Sequence, residues 1–335
     1  SAMPSRLVRR QCQKLSELPH LRSKIPAQAK RHMSELRHLH NFRRVPSTTL
    51  FRCMCPRHAQ ARTVCELRER HGVRILIDLR DKSESRSAPV NLPGIPAISA
   101  PLVRRGAFLK ALLDFASSQE KLILMLLLVG MQTSTLRKRV LGLLNAYDLE
   151  RVNKLILDTS GSNIASVFRT MADPYNMPAM VFCAIGKDRT GLVSAMAAVL
   201  AGAPRDEIVA DYMASLQGLQ PVRHQVEAGM VAHGLDVDVF GRAEGEVMMH
   251  TLDYLETKWG GVAQYLLSHG LTQDELVTSV LHGKPNHGRH LFEERSPALW
   301  TPLAQRQMIQ TNERRKRQCC ILCCAVTSCG GWAQP

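Results

Sequence analysis

No uninterrupted apolar run in this 335-residue chain is longer than the ten residues from Leu122 to Met131. A bilayer-spanning helix needs about 20, so none is expected. A run of this length suits a buried helix or a cover over a site better than a segment dipping into a membrane. The first forty residues are basic and lack the apolar centre of a secretory signal peptide. Ten cysteines in so long a chain, with no such signal, do not form a disulfide framework. A reducing compartment is expected, with each cysteine a small core residue or a reactive thiol. No internal repeat of fixed period is present. At 45% hydrophobic and 22% charged residues, the composition is that of a globular protein and excludes a fibre or a mainly disordered chain.

The middle of the chain also lacks charge of either sign in excess. The total is +15, but residues 39–283 carry only +3 of it. Residues 1–38 hold nine Lys/Arg against two Asp/Glu, and residues 284–335 hold eight against three. A nucleic-acid-binding protein would more often hold its charge on the folded domain, so no nucleic acid is expected as partner. Basic tails suit an anionic membrane surface or an acidic partner. The expected organisation is a disordered basic tail over 1–38, one domain over 39–283, and a basic cysteine-rich tail over 284–335.

Within the domain, Thr63 to His71 has the spacing of an amphipathic helix, and Gly72 ends it. Val73 to Arg80 is a short β-branched run, a buried strand carrying Asp78 and Arg80 at its end. Asp81 to Pro101, with four prolines and several serines, is expected to be a loop. Gly106 to Met171 is helical in pattern, Met180 to Cys183 is a second apolar strand, and Gly191 to Leu200 is an apolar helix. Strands alternating with helices predict an α/β fold with a central, mostly parallel sheet flanked by helices.

The chemistry concentrates in Cys183-Ala184-Ile185-Gly186-Lys187-Asp188-Arg189-Thr190-Gly191, between that strand and that helix. A short loop running into a helix turns backbone N–H groups inward, a nest for a dianionic phosphate at the positive end of the helix. Cys183 lies at the bottom of the nest, in line to attack phosphorus, and the amides favour its thiolate. Arg189, six positions on, can grip two phosphate oxygens, more tightly as the transferring group flattens. Gly186 lets the backbone approach the ligand closely.

This segment resembles the signature loop of the cysteine-based tyrosine phosphatases, closest to the atypical tyrosine/dual-specificity group of bacteria, fungi and protists. The resemblance extends to Asn41-Phe42-Arg43, Leu50-Phe51-Arg52, Gly72 to Arg80, Gly202-Ala203-Pro204 with Ile208 to Tyr212, and Trp259-Gly260-Gly261 with Tyr265-Leu266. It implies a cysteine-phosphatase-like fold with a helical lid or insertion. It further implies hydrolysis of phosphotyrosine, with phosphoserine, phosphothreonine and phosphoinositides as further substrates, and neither metal nor cofactor. By the same resemblance Cys183 is the nucleophile, Arg189 the phosphate clamp and Asp188 the general acid. Thr190 would hydrogen-bond the Cys183 sulfur. Ala184, Ile185, Gly186, Lys187 and Gly191 would bind phosphate, Lys187 adding charge, and Asp78 and Arg80 would hold the loop or touch substrate. Asp148 and Asp158 stay open as acids, because other phosphatases of this type carry theirs on a mobile upstream loop. Two departures stand out: Phe182 occupies the place of the family's usual histidine, and Arg44-Val45-Pro46 follows Asn41-Phe42-Arg43 without the usual Asp and Gly. Phe182 motivates a second reading, a phosphate-binding adaptor that turns over poorly.

Near the C-terminus, Arg314-Arg315-Lys316-Arg317 precedes Cys319, Cys320, Cys323 and Cys324. Basic residues beside paired cysteines suit reversible S-acylation, and hence a cytoplasmic protein held at a membrane. Spare thiols on a disordered tail, or zinc on Cys320 and Cys323, are the other readings; a second ligand pair at zinc spacing is missing.

Overall fold

The structure, a computed structural model, describes Leu36 and residues 39–283. Five strands, β1 (Arg43–Arg44), β2 (Phe51–Met54), β3 (Ile75–Asp78), β4 (Ala97–Ser99) and β5 (Ala179–Cys183), form one sheet in the order β1-β2-β5-β3-β4. Only the β1–β2 pair is antiparallel. The β2, β5, β3 and β4 ladders are parallel, as the strand–helix alternation predicts. β5 enters between β2 and β3, so their carboxyl ends meet at one crevice, where open α/β sheets bind ligands.

The helices are α1 (Ala61–Glu69), α2 (Lys82–Ser87), α3 (Arg105–Asp114), α4 (Ser118–Val129), α5 (Thr133–Asn145), α6 (Leu149–Ala172), α7 (Asp188–Leu200), α8 (Arg205–Leu219), α9 (Arg223–Ala232), α10 (Val237–Phe240), α11 (Gly245–Trp259), α12 (Val262–Ser268) and α13 (Gln273–Gly283). The stretch expected to be a loop, 81–101, holds α2 and β4. Asp81 starts α2 with a reciprocal cap: its carboxylate accepts from Ser83 N and Glu84 N, and Glu84 accepts from Asp81 N. Four prolines masked one turn of helix and a three-residue strand.

Side-chain alternation along the buried strands divides the core in two. Ile75, Ile77, Ala179, Val181 and Cys183 face a large layer built from α6, α7, α8, α11 and α12, with Phe168, Leu192, Met196, Tyr212, Leu255 and Tyr265. Leu76, Met180 and Phe182 face the other way, against Phe51 and Cys53 of β2 and Val64 and Leu67 of α1. Strands buried on both faces read as continuous apolar runs, which is why β3 and β5 are legible. α6 bends at Ser160, whose φ of −124° leaves the helical range and whose hydroxyl accepts from Arg104 N at 2.9 Å.

The run Leu122 to Met131 departs from expectation. It forms α4 and its turn, and Leu122, Met125, Leu126, Val129 and Met131 are exposed rather than buried. The basic tails, with Cys319, Cys320, Cys323 and Cys324, lie outside the described residues.

Candidate active site

Cys183 ends β5, and four loop residues later Asp188 opens α7. The loop is shaped by what ties its carbonyls outward. Gly186 O accepts from Asn41 Nδ2 at 2.8 Å and from Arg52 Nη2 at 2.9 Å. Ala184 O accepts from Cys55 N at 3.3 Å, and Lys187 O from Gly191 N at 2.7 Å. With these carbonyls drawn back, the loop's N–H groups are left for its concave side, beside the N-terminus of α7. Gly186 sits at φ +69°, and a Cβ there would collide with the Cys53 carbonyl, so the loop packs tightly over the end of β2.

The two residues that tie back Gly186 are themselves locked. Asn41 takes a left-handed φ of 60°, which Asn tolerates, and its N–H reaches Gly218 O at 3.0 Å. Arg43 and Arg52 share the buried carboxylate of Asp211 on α8, Arg43 Nε at 2.6 Å. Burial and the neighbouring Arg52 lower the Arg43 pKa to about 10. Burial alone would raise the Asp211 pKa, but the two guanidinium groups outweigh it and hold it below the usual range. Asn41, Arg43, Arg52 and Asp211 are visible in the sequence as motifs without a role; the role is to brace the loop.

Arg189 makes a bidentate ion pair with Glu84, Nη1 to Oε2 at 2.6 Å and Nη2 to Oε1 at 2.8 Å. Burial works against its charge, yet Glu84, with Cys183 and Asp81 nearby, more than offsets that and raises its pKa. Glu84 is fixed in turn by the α2 cap, and Arg105 reaches the same cap through Asp81 and Ser83. The expectation of a loop over this segment passes Glu84 by, although the spacing Asp81-x-x-Glu84 is a capping-box signature that could have marked a helix start there.

Asp78 and Arg80 are buried and engaged with each other, Nε to Oδ1 at 2.8 Å and Nη2 to Oδ2 at 2.7 Å. Arg80 also donates to Ala88 O at 2.8 Å and lies 5.2 Å over the Phe182 ring. They form a buttress under the loop's first residue, in register with Phe182. Phe182 is fully buried on the face opposite Cys183. Lys187 is buried, donating to Phe240 O at 2.8 Å and to Arg242 O and pairing with Asp188 at 3.0 Å. Its ammonium therefore holds the α10–α11 corner, which differs from the expected charge against phosphate. Ile185 packs with Leu149, Leu219 and Phe240, and Gly191 lies so close to the Tyr212 ring that a Cβ would approach to 3.0 Å.

Asp188 is part-exposed at the first position of α7. Thr190 is fully buried, and its hydroxyl has no hydrogen-bond partner among the described residues. The other candidate acids are occupied elsewhere. Asp148 caps α6 by accepting from Arg151 N, and Asp158 pairs with Lys258 at 2.8 Å and accepts from Tyr254. Burial pushes the Cys53 and Cys55 thiols up, so both stay protonated near Cys183.

The sequence profile of the tyrosine phosphatase family matches residues 31–279, most of the chain and the whole of this site. The chain belongs to the tyrosine phosphatase family. It is also 30% identical, over 128 residues, to a tyrosine-protein phosphatase of Nostoc commune, a match covering 36% of this chain and 44% of that protein. The chain thus matches less than half the length of this curated relative. In this member of the family the cysteine, loop and arginine sit at the crevice where β2, β5 and β3 end. Among the described residues no helix is long and apolar enough to cross a membrane.

Proposed function

We propose that the protein hydrolyses phosphotyrosine esters through a covalent phosphocysteine intermediate on Cys183. The observation that supports this reading is the placement of Cys183 at the floor of a loop whose carbonyls are tied outward, with Arg189 held by the Glu84 carboxylate. In the first step the Cys183 thiolate attacks phosphorus, the ester P–O bond breaks, and the leaving phenolate takes a proton from Asp188. Arg189 and the loop amides stabilise the charge that builds on the equatorial oxygens. In the second step water attacks phosphorus, Asp188 takes its proton, the S–P bond breaks and inorganic phosphate leaves. Thr190, whose buried hydroxyl has no partner among the described residues, donates to the sulfur as it departs. A loop that grips only the phosphoryl group also accepts phosphoserine, phosphothreonine and phosphoinositides, and acylation of the C-terminal cysteines would bring it to such lipids.

The test is release of nitrophenol from a simple aryl phosphate in EDTA. Parental protein is expected to turn over and Cys183→Ser to lose at least about a thousandfold. If both are equally inactive yet both bind a phosphopeptide, the site is a phosphate-binding adaptor and Phe182 marks the loss.

A further inference from the structure

Helices α4 and α5 form a hairpin with two apolar sides, only one of which is covered. On the inner side Leu124 and Leu136 are buried, with Leu113, Leu127, Val140 and Leu143 packed against them. On the outer side Leu122, Met125, Leu126 and Val129 fall at i, i+3, i+4 and i+7, one stripe along α4 opposite the inner face. They are 55–73% exposed, and Met131 at the tip is 83% exposed. A helix apolar on both sides is normally buried.

The hairpin is a built element. Arg139 pairs with Glu120 across it at 3.3 Å. At its base Phe115 packs edge-on to Tyr147, and Asn145 donates to Gly234 O at 2.9 Å. Its charge says what covers the stripe. Residues 118–145 contain four Lys/Arg and one Asp/Glu, a net +3, which is the whole net charge of residues 39–283. The rest of the domain is therefore neutral overall, and Lys121 on α4 and Lys138 on α5 are exposed. A second copy of this cationic hairpin would be repelled. An anionic lipid bilayer satisfies both features at once, taking the aliphatic side chains below its headgroups and pairing with the surrounding cations. α4 has 12 residues, about 18 Å of helix, too short to span and suited to lie in the interface.

We infer that the α4–α5 hairpin is a membrane-docking element for anionic bilayers, independent of the C-terminal cysteines. Its base is tied to the segment that leads into α10, where Asn145 donates to Gly234 O, and the last residue of α10, Phe240, accepts from Lys187 of the loop.

Unacylated full-length protein is floated with phosphatidylcholine vesicles containing roughly one-fifth phosphatidylserine at physiological salt. The exposed-stripe variant L122Q/M125Q/L126Q/V129Q is expected to lose binding about tenfold or more, while its turnover of a soluble aryl phosphate stays at the parental level. In a second variant, Leu126→Trp, indole emission is expected to shift to the blue on adding these vesicles and to be quenched by brominated lipid. Unchanged flotation of the quadruple variant, together with no response of the Leu126→Trp variant to either lipid, would overturn the inference. Parental self-association that the quadruple variant abolishes, with no vesicle binding by either, would assign the stripe to a second copy instead. A quadruple variant altered in soluble-substrate turnover but still floating would make the stripe a cover for the site. Activity and flotation are separate readouts, so a failed docking result leaves the catalytic reading standing, and the reverse.

Discussion

Arg189 can serve as a phosphate clamp only if its guanidinium is already turned and flat when substrate arrives, and Glu84 does that turning through two parallel hydrogen bonds. Glu84→Gln keeps the shape but removes the charge and one acceptor. The expected outcome is a fall in kcat of about ten- to a hundredfold, from a misplaced clamp, with a smaller change in KM. Steady-state kinetics on an aryl phosphate check this, and an unaltered kcat would mean that Arg189 is positioned by other means. The contrast between these two residues shows what a sequence discloses. Cys183 to Gly191 is contiguous, flanked by a strand and a helix, and so carries its chemistry on its face. Glu84 acts across about a hundred residues of chain, from a turn of helix hidden among prolines. Lys187 misleads for the converse reason: its place inside the loop suggests phosphate, whereas its side chain leaves the loop for the carbonyls of Phe240 and Arg242.

The loop's shape is set by elements that are distant in sequence. β1, β2 and α8 meet at Asp211, where one buried carboxylate separates the guanidinium groups of Arg43 and Arg52, and Arg52 in turn holds Gly186 O. Replacing Asp211 by Asn leaves two buried cations without their counter-charge, at a cost of about 3–5 kcal/mol. A lowered melting temperature and a reduced kcat are expected together, since the brace and the loop loosen as one. The pH dependence follows from the depressed folded-state pKa of Asp211. Its contribution to stability is fully present above the unfolded carboxylate value of about 3.9 and is lost as the pH falls through the lower folded value. Denaturant titrations between pH 7 and 3 should therefore show the parental protein's advantage over Asp211→Asn narrowing only below about pH 4; an advantage that is flat into stronger acid would show that the ionised carboxylate is not its source. At this scale the buried strands β3 and β5 are legible from their apolar runs. β4, with three residues of which only Ile98 is half-buried, and β1, with two, offer no pattern to find. α4 is legible as a helix, but its run cannot say which side is covered, because both sides are apolar.

Across the whole molecule the net positive charge resides in three places, the two tails and the α4–α5 hairpin, and the remainder of the domain is neutral overall. Each basic residue within a Debye length of an anionic surface, about 8 Å at physiological salt, contributes on the order of 1 kcal/mol. Such attraction is reversible and weakens with salt, and a short interfacial helix adds to it without making it permanent. Stable residence needs a further apolar anchor, and the sequence offers one in Cys319, Cys320, Cys323 and Cys324 behind Arg314-Arg315-Lys316-Arg317. One acyl chain holds a protein marginally, whereas two together with a basic patch hold it stably. In cells that S-acylate proteins, the full-length chain is therefore expected in the membrane fraction at high salt. Changing all four cysteines to serine should leave it there only at low salt, through the hairpin and the tails, with activity on a soluble substrate intact. Hydroxylamine, which cleaves thioesters, should reproduce the four-serine behaviour in the parental protein. Residence at high salt by the four-serine chain, or a parental chain that washes off without hydroxylamine, would remove acylation from the account and leave the hairpin and the basic tails as the only membrane contacts.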